Sequence, residues 1–298
     1  MVLLRTSRWF IVDNAYLPIH VLPHRTATTV IQVWHAVGAL KRFGWDSRQP
    51  LADPERRFLH RHYDWVVCSS EATRAPYAAA FRLPVERVVA LGAPRVDQFA
   101  DPAAVERARR MVLARYPSLA GRRVVLVAPT FRGRGAAKRA AAHLDAEALR
   151  AALPADHILV LKSHPNLDPA TTSVAGFDLV IDPVQPINDV LAATDVLVTD
   201  YSSSIFEWAL LRRPLVLLVP DLEAYETDPG LYLDYRTEMI GTQVADTAGI
   251  AAAILGAGPD VSRFDAFIER HLGPVDGEAS ERFVTRFLGP EADPGRRT

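Results

Sequence analysis

The segment that decides the fold is Val196-Leu197-Val198-Thr199-Asp200-Tyr201-Ser202-Ser203-Ser204-Ile205-Phe206-Glu207, in which an apolar run leads into a hydroxyl-rich helix start. Its first four residues are typical of a strand buried on both faces. The helix start has two interpretations. Ser204 and Glu207 have the spacing of a capping box, which only stabilises its own helix. Alternatively, the unpaired N–H groups and partial positive charge of a first helical turn favour a phosphate.

Similar apolar runs recur along the chain and alternate with helical patterns. This alternation predicts parallel sheets covered by helices on both faces, so the expected fold class is α/β, doubly wound. The predicted strands are 9–12, 29–34, 65–68, 87–91, 124–128, 158–161, 179–181, 196–199 and 215–219. The predicted helices are 54–62, 72–81, 103–116, 145–153, 187–193 and 204–211.

Length and composition predict a two-domain globular enzyme. A chain of 298 residues exceeds a typical single core, and 49% hydrophobic with 23% charged residues is ordinary for a folded protein. The net charge of −1 gives no large electrostatic footprint for nucleic acid. A Pro/Gly-bearing turn at 117–121 predicts domains 1–119 and 120–264. Helical patterns at 265–290 are expected to pack near the domain junction, and the polar segment 291–298 is expected to be a disordered tail.

The sequence favours a cytoplasmic location. Cys68 is the single cysteine, so no intramolecular disulfide is possible and a reducing compartment is expected. No apolar stretch reaches the roughly 18 residues of a spanning helix, and the N-terminus lacks the pattern of a secretory signal. Peripheral contact with the inner face of the membrane stays open, because it needs only a surface patch.

Polar side chains follow four of the predicted strands. Ligands of open α/β sheets bind at the carboxyl ends of strands. Each side chain alone has an ordinary structural interpretation. Together they suit a pyrophosphate, since Arg and Lys offset its charge, serines and helix amides donate to its oxygens, and a histidine handles a proton. The candidate residues are His35, Thr130, Arg132, Lys162, His164, Asp200, Ser202, Ser203 and Ser204. In a later loop, Asp221 is a candidate to bond a ribose hydroxyl, or it is an ordinary solvated carboxylate.

Several of these residues lie in stretches that resemble the CDP-glycerol glycerophosphotransferases, which build or prime the poly(glycerol phosphate) of teichoic acids and related polymers. The resemblance runs in order from about residue 6 to residue 288. Its motifs are TSRWFIVDN (6–14), QVWHAVGALKRFG (32–44), YDWVVCSSE (63–71), LGAPRVD (91–97), APTFRG (128–133), KSHP (162–165), residues 195–214, YLDY (232–235) and DGEAS (276–280).

The resemblance implies a GT-B architecture, with two Rossmann-like domains facing a cleft and the nucleotide held mainly by the C-terminal one. It implies that His35 is the catalytic base, that His164 lies near the pyrophosphate, and that Arg132 and the three serines hold donor phosphates. An acceptor hydroxyl would attack the glycerol-bearing phosphorus of CDP-glycerol, and CMP would leave. The implied acceptor is a lipid-linked or polymeric glycan. No resident cofactor and no structural metal are expected, and a magnesium ion bridging the pyrophosphate stays open.

The chain departs from the family pattern at three places. Ala36-Val37-Gly38 stands where Gly-Thr usually precedes Pro, so the loop beside the histidine is expected to differ in shape. Asp228-Pro229-Gly230-Leu231 lacks the arginine usual before the glycine, which leaves one phosphate or acceptor contact open. The chain has less sequence before its first strand than family members, so the N-terminal domain is expected to be shortened or to start upstream.

Two other functions stay open. The first is a GT-B glycosyltransferase or epimerase that uses another nucleotide-activated donor. The second is a non-catalytic nucleotide-binding relative, and the presence of both His35 and His164 counts against it.

Overall fold

The computed structural model describes residues 2–48, 58–132, 139–140, 143–163, 173–256, 258 and 261–289. The strands are β1 Trp9–Val12, β2 Thr29–Gln32, β3 Trp65–Cys68, β4 Val88–Ala90, β5 Arg123–Val127, β6 Phe131–Arg132, β7 Arg139–Ala140, β8 His157–Leu161, β9 Leu179–Val180, β10 Val196–Thr199, β11 Leu215–Leu218 and β12 Thr242–Val244. The helices are α1 Val2–Thr6, α2 Leu17–Val21, α3 Glu71–Phe81, α4 Asp97–Ala100, α5 Pro102–Arg115, α6 Ala146–Ala152, α7 Ile187–Ala192, α8 Ser204–Ala209, α9 Leu222–Thr227, α10 Tyr235–Glu238, α11 Thr247–Leu255, α12 Val261–Leu272 and α13 Ala279–Phe287.

The chain forms two compact units. The first consists of Met1–Ala100, Glu223–Glu238 and Ala266–Thr298, and the second of Asp101–Leu222 and Met239–Asp265. Both have α/β sheets with parallel strands, β1-β2-β3-β4 in the first and β12-β11-β10-β5-β8-β9 in the second. The prediction of a doubly wound α/β fold is confirmed. Within the described ranges, no helix combines the length and apolar character needed to cross a membrane.

The sheet of the first unit has an apolar core on each face. Successive side chains of a strand point to opposite faces, so Val66 and Cys68 pack in one core with Tyr77 of α3. Val67 packs on the other face with Phe287 of α13. Burial raises the pKa of the Cys68 thiol to about 11, so this cysteine is a core residue rather than a reactive thiolate.

Residues from the end of the chain complete the first unit through specific hydrogen bonds. The Ser69 hydroxyl donates to the carbonyl of His271 at 2.6 Å, and the Ser70 hydroxyl donates to the carbonyl of Arg270 at 2.7 Å. The carboxylate of Asp97 accepts from the first turn of α13, including the backbone N–H of Ser280 at 2.9 Å. This carboxylate supplies the partner that a helix start requires.

The second unit packs α6 and α11 against one face of its sheet. Leu149 of α6 and Ile254 of α11 share a core with alternate residues of β5, β8 and β10. In the register of the central strands, Leu126 pairs with Val160 on one side and with Leu197 on the other. All three side chains are buried, as expected for central strands of a parallel sheet.

The contacts place residues 101–119 in the second unit, whereas the sequence analysis assigned them to a domain 1–119. Helix α5 packs on α7, and Val112 is buried. Arg115 forms an ion pair with Asp182 at 2.9 Å, and the Tyr116 hydroxyl accepts the N–H of Asp182 at 3.3 Å. The Pro/Gly turn at 117–121 is therefore an ordinary helix-to-strand connection inside this unit.

All nine predicted strands are present, with ends that differ by at most two residues. β12, the antiparallel pair β6–β7 and the helices α1, α2, α4, α9, α10 and α11 were not predicted from the sequence. Helices α12 and α13 cover the helical patterns predicted at 265–290. Residues 54–57 of the predicted helix 54–62 and the tail 291–298 lie outside the described residues.

Candidate functional site

Two of the predicted site residues meet at the carboxyl ends of β5 and β10, which are neighbours in the second sheet. The carboxylate of Asp200 accepts the backbone N–H of Thr130 at 2.8 Å and the Thr130 hydroxyl at 2.9 Å. The Thr199 hydroxyl donates to the carbonyl of Ala128 at 2.7 Å. Asp200 is 3% exposed, so it fixes the geometry of these two strand ends from within the protein.

Arg132 lies between two carboxylates. Its Nη1 is 2.9 Å from Oδ2 of Asp200, and its Nε donates to Oδ2 of Asp221 at 2.8 Å. Burial alone would lower the pKa of Arg132, but the hydrogen bond to Asp221 and the two negative charges together raise it. The guanidinium is therefore a fixed cation at the strand ends. Asp221 is a partner of Arg132 here, and its contact with a ribose hydroxyl stays a prediction.

The serine turn departs from a capping box. Ser203 is the residue that precedes α8, and its side chain makes no capping hydrogen bond. Ser204 is already inside the helix, so the box considered for Ser204 and Glu207 is not formed. Instead, the Ser202 hydroxyl accepts the N–H of Ser204 at 3.2 Å and lies 2.8 Å from its hydroxyl. Ser202 and Ser203 are half-buried, at the surface of the turn.

Lys162 follows β8 and is buried. Its Nζ donates to the carbonyl of Pro183 at 3.1 Å and to that of Asp182 at 3.4 Å. Burial lowers the pKa of Lys162, and the charge of Asp182 opposes that shift. The ammonium thus ties the end of β8 to the segment after β9, and a phosphate contact from Lys162 stays a prediction. His164 lies outside the described residues.

In the first unit, His35 follows β2 and is exposed. Its Nδ1 lies 3.3 Å from the carbonyl oxygen of Asp13. Because a carbonyl only accepts, Nδ1 of the neutral ring carries the proton and Nε2 keeps a lone pair. Crowding by surrounding protein lowers the pKa of His35, the Asp13 hydrogen bond raises it, and the charge of Arg95 lowers it. The ring is therefore neutral at pH 7, as a general base must be.

The loop that begins at His35 is anchored on both sides. Arg95 donates through Nη1 to the carbonyl of His35. The Tyr77 hydroxyl contacts the carbonyl oxygens of Ala36 at 2.8 Å and Gly38 at 3.0 Å. Ala36-Val37-Gly38, which departs from the family pattern, thus lies in a loop that the buried Tyr77 hydroxyl holds through two carbonyl oxygens.

The comparisons with known proteins now identify the family. A sequence model described as CDP-Glycerol:Poly(glycerophosphate) glycerophosphotransferase matches residues 1–289. The chain belongs to this family. It is 33% identical to a teichoic acid ribitol-phosphate primase of Bacillus spizizenii, over 97% of this chain and 78% of the relative. It is 27% identical to a teichoic acid glycerol-phosphate primase of Bacillus subtilis, over 95% of this chain and 74% of the relative.

A solved structure shows the same fold. The wall teichoic acid polymerase TagF, in one variant, superimposes with a TM-score of 0.76 at 22% identity, over 93% of this chain and 71% of TagF. The glycerophosphotransferase resemblance and the GT-B-like fold class are confirmed. The chain spans 78% of the length of the ribitol-phosphate primase but only 48–56% of the lengths of three ribitol-phosphate polymerases.

Two residues that contact Asp221 were not predicted from the sequence. The Tyr201 hydroxyl donates to Oδ1 of Asp221 at 3.0 Å, and the Arg132 guanidinium lies 5.2 Å from the centre of its ring. Tyr201 is in the serine motif, and a buried tyrosine usually has a hydrogen-bond partner, so it could have been found. His143 lies 3.8 Å from Oδ2 of Asp221, and no motif surrounds it. Among the described residues, no group of three or more His, Cys, Asp or Glu side chains is placed to hold a metal ion.

Proposed function

We propose that this chain transfers glycerol phosphate from CDP-glycerol to an acceptor hydroxyl and releases CMP. The observation that carries the proposal is the half-buried arginine of the second unit. Arg132 is held by Asp200 and Asp221 at the strand ends that also carry the serine turn. A protonated guanidinium beside hydroxyls and helix amides suits a diphosphate.

The charges around Arg132 specify what else the site needs. Two carboxylates face one guanidinium, so these three groups alone carry a net negative charge. We therefore propose that the hydroxyls of Ser202, Ser203 and Ser204 donate to the diphosphate oxygens. His164 is proposed to offset the remaining charge.

His35 is proposed to act as the general base. Its Nε2 accepts the proton of the acceptor hydroxyl while the hydroxyl oxygen forms a bond to the glycerol-bearing phosphorus. The bond between that phosphorus and the oxygen of CMP breaks, and CMP leaves with the electron pair. The neutral ring and the Nδ1 contact with Asp13 support this role.

The test is a CMP-release assay with CDP-glycerol, CDP-ribitol and UDP-sugars side by side. His35→Asn should lower the transfer rate about 100- to 10,000-fold, the usual contribution of a positioned base, without changing donor affinity. The matched control is His62→Asn, an exposed histidine of the same unit, which should retain full transfer. The proposal would be overturned if CMP were released only by hydrolysis that does not depend on the acceptor. Full activity of His35→Asn would overturn it as well.

A second candidate donor is CDP-ribitol. The ribitol-phosphate primase is 33% identical to this chain, whereas the glycerol-phosphate primase is 27% identical. The same assay separates the two donors, because the preferred donor should give the higher kcat/KM at equal acceptor concentration.

We also propose that the acceptor is a lipid-linked or polymeric glycan met at the inner face of the membrane. Helices α1 and α2 support this, because they expose the apolar side chains of Val2, Leu3 and Leu17. Exposed Arg5 and Arg8 lie on or beside α1, and arginines attract anionic lipid. Co-sedimentation with phosphatidylglycerol vesicles should fall for Leu3→Ser, and equal sedimentation of both proteins would contradict the proposal.

A further inference from the structure

The carboxyl ends of β1 and β2 are joined by hydrogen bonds in addition to those of the parallel sheet. Three successive carbonyls at residues 12–14 accept hydrogen bonds from the end of β2. The donors are the backbone N–H of Val33 at 2.8 Å, the ring Nδ1 of His35 at 3.3 Å and the side-chain Nε2 of Gln32 at 3.1 Å. The Asp13 carbonyl, which orients the His35 ring, therefore lies between the carbonyls of residues 12 and 14, and each of these is fixed by its own hydrogen bond.

Gln32 also controls the backbone that leads to His35. Its Oε1 accepts the N–H of Trp34 at 2.8 Å. Trp34 has a φ of +53°, a left-handed conformation that costs a side-chain-bearing residue roughly 1–2 kcal/mol. The strand has ended at this point, so the ladder offers this N–H no partner. The Gln32 carboxamide supplies one and stabilises the turn that projects His35.

The burial of Gln32 indicates that both of its bonds matter. The side chain is 0% exposed. A buried amide without partners costs about 1–3 kcal/mol, so an apolar residue would suit this place better if only packing were required. The Nε2 of Gln32 donates to the carbonyl of Asn14 after β1, and its Oε1 accepts from the N–H of Trp34 after β2.

We propose that Gln32 is the positioning residue that fixes the ring orientation and the tautomer of His35. It does so by holding Asn14 next to the Asp13 carbonyl and by holding Trp34 next to the His35 backbone. This inference rests on the proposed role of His35 as the base. Only the tautomer with the proton on Nδ1 presents the Nε2 lone pair to an acceptor hydroxyl.

The first test reads the tautomer directly. In the full chain labelled with ¹⁵N-histidine, long-range ¹H–¹⁵N spectra at pH 8 should show His35 protonated at Nδ1, with the signals assigned by their loss in His35→Asn. Gln32→Met has a similar volume and removes both bonds, and it should give a mixture of tautomers. Gln185→Met, which replaces a half-buried glutamine of the second unit, should leave the His35 signals unchanged.

Two results of this test would overturn the proposal: a wild-type His35 protonated at Nε2, or an unchanged tautomer in Gln32→Met. If Gln32→Met does not fold, Gln32→Asn replaces it. Asparagine keeps the amide but is one methylene shorter, so it should fail to reach both partners and give the same mixture.

The second test measures transfer. Gln32→Met should lower kcat about 100-fold, as expected when a catalytic group is displaced by about 1 Å, with the donor KM unchanged. The acid limb of the kcat profile should move to lower pH, because the Asp13 hydrogen bond that raises the pKa of His35 is weakened. A rise in KM with unchanged kcat would contradict the inference. A tautomer mixture in Gln32→Met together with full activity of His35→Asn would reject the proposed base and leave the positioning role intact.

Discussion

Replacing Asp200 with asparagine removes the charge of this side chain and keeps its size. The backbone N–H of Thr130 still has an oxygen acceptor at 2.8 Å. The other side of the amide then presents its NH₂ group to Nη1 of Arg132, where the carboxylate oxygen lies at 2.9 Å in the native protein. Two donors face each other there, and the half-buried guanidinium keeps Asp221 as its charged partner.

The expected loss of stability follows from these contacts. Breaking a buried ion pair by removing one partner costs about 3–5 kcal/mol. Because Asp221 still pairs with Arg132, we expect the lower end, about 3 kcal/mol. At about 2–4 °C per kcal/mol, the unfolding transition of the second unit should fall by about 6–12 °C. The donor KM should rise, because Arg132 is no longer fixed.

Thermal and urea unfolding of the full chain at pH 7 measures this loss. The matched control is Asp195→Asn, since Asp195 also accepts a backbone N–H, that of Val124 at 2.7 Å. Asparagine retains that acceptor, so the control should cost less than about 1 kcal/mol. A double variant with Arg132→Met should lose less than the sum of the single variants. Equal losses in Asp200→Asn and Asp195→Asn, or strict additivity, would refute the assigned coupling.

Three further predictions concern a glycine, a histidine and a tyrosine. Gly176→Ala should destabilise the second unit far more than Gly121→Ala in urea unfolding, because its Cβ would lie 2.4 Å from backbone atoms of α6, whereas Gly121 has open space at a similar φ; similar losses would contradict this. Burial lowers the pKa of His60 to about 3, while the unfolded chain binds this proton near pH 6.5. Stability should therefore decline as the pH falls below 6.5, by about 2 kcal/mol at pH 5, and His60→Asn should flatten that slope. Tyr77→Phe should lower the free energy of unfolding of the first unit by about 1 kcal/mol. It should also lower kcat more than donor affinity, since the loop after His35 loses its hydrogen bonds to the Tyr77 hydroxyl; an unchanged kcat would count against this anchor.

The central strands could be predicted from the sequence because burial on both faces leaves a continuous apolar run, as in Val196–Thr199. β12 could not, because Thr242–Val244 has one exposed residue followed by two half-buried ones and no such run. The boundary at 117–121 was misplaced for a related reason. A Pro/Gly turn has the composition of a linker, and only the packing of α5 on α7 shows which unit the preceding helix joins.

The candidate site was predictable in its residue types but not in its bonds. The motif order predicted that Thr130, Arg132 and the serine turn belong to one site, and the structure brings Thr130, Arg132 and Asp200 together. The carbonyl partners of Lys162 belong to Asp182 and Pro183, about 20 positions away. No local sequence pattern predicts these contacts. The predicted helix start at residue 204 matches α8, but the residue that precedes the helix is Ser203 and not the Ser204 considered for a capping box, because three consecutive serines can each precede a helix.

The closure of the first unit by the end of the chain has a consequence for synthesis on the ribosome. Asp97 and its partner Ala279 are separated by 182 positions. At roughly 5–20 residues per second, the N-terminal sheet waits about 10–40 s for the helix that covers it. During that interval the apolar face around Trp65 and Val67 is open to water and to chaperones. The second unit emerges during the same interval. A nascent chain that has not yet exposed residue 279 should therefore have one folded unit and one sheet with an exposed apolar face.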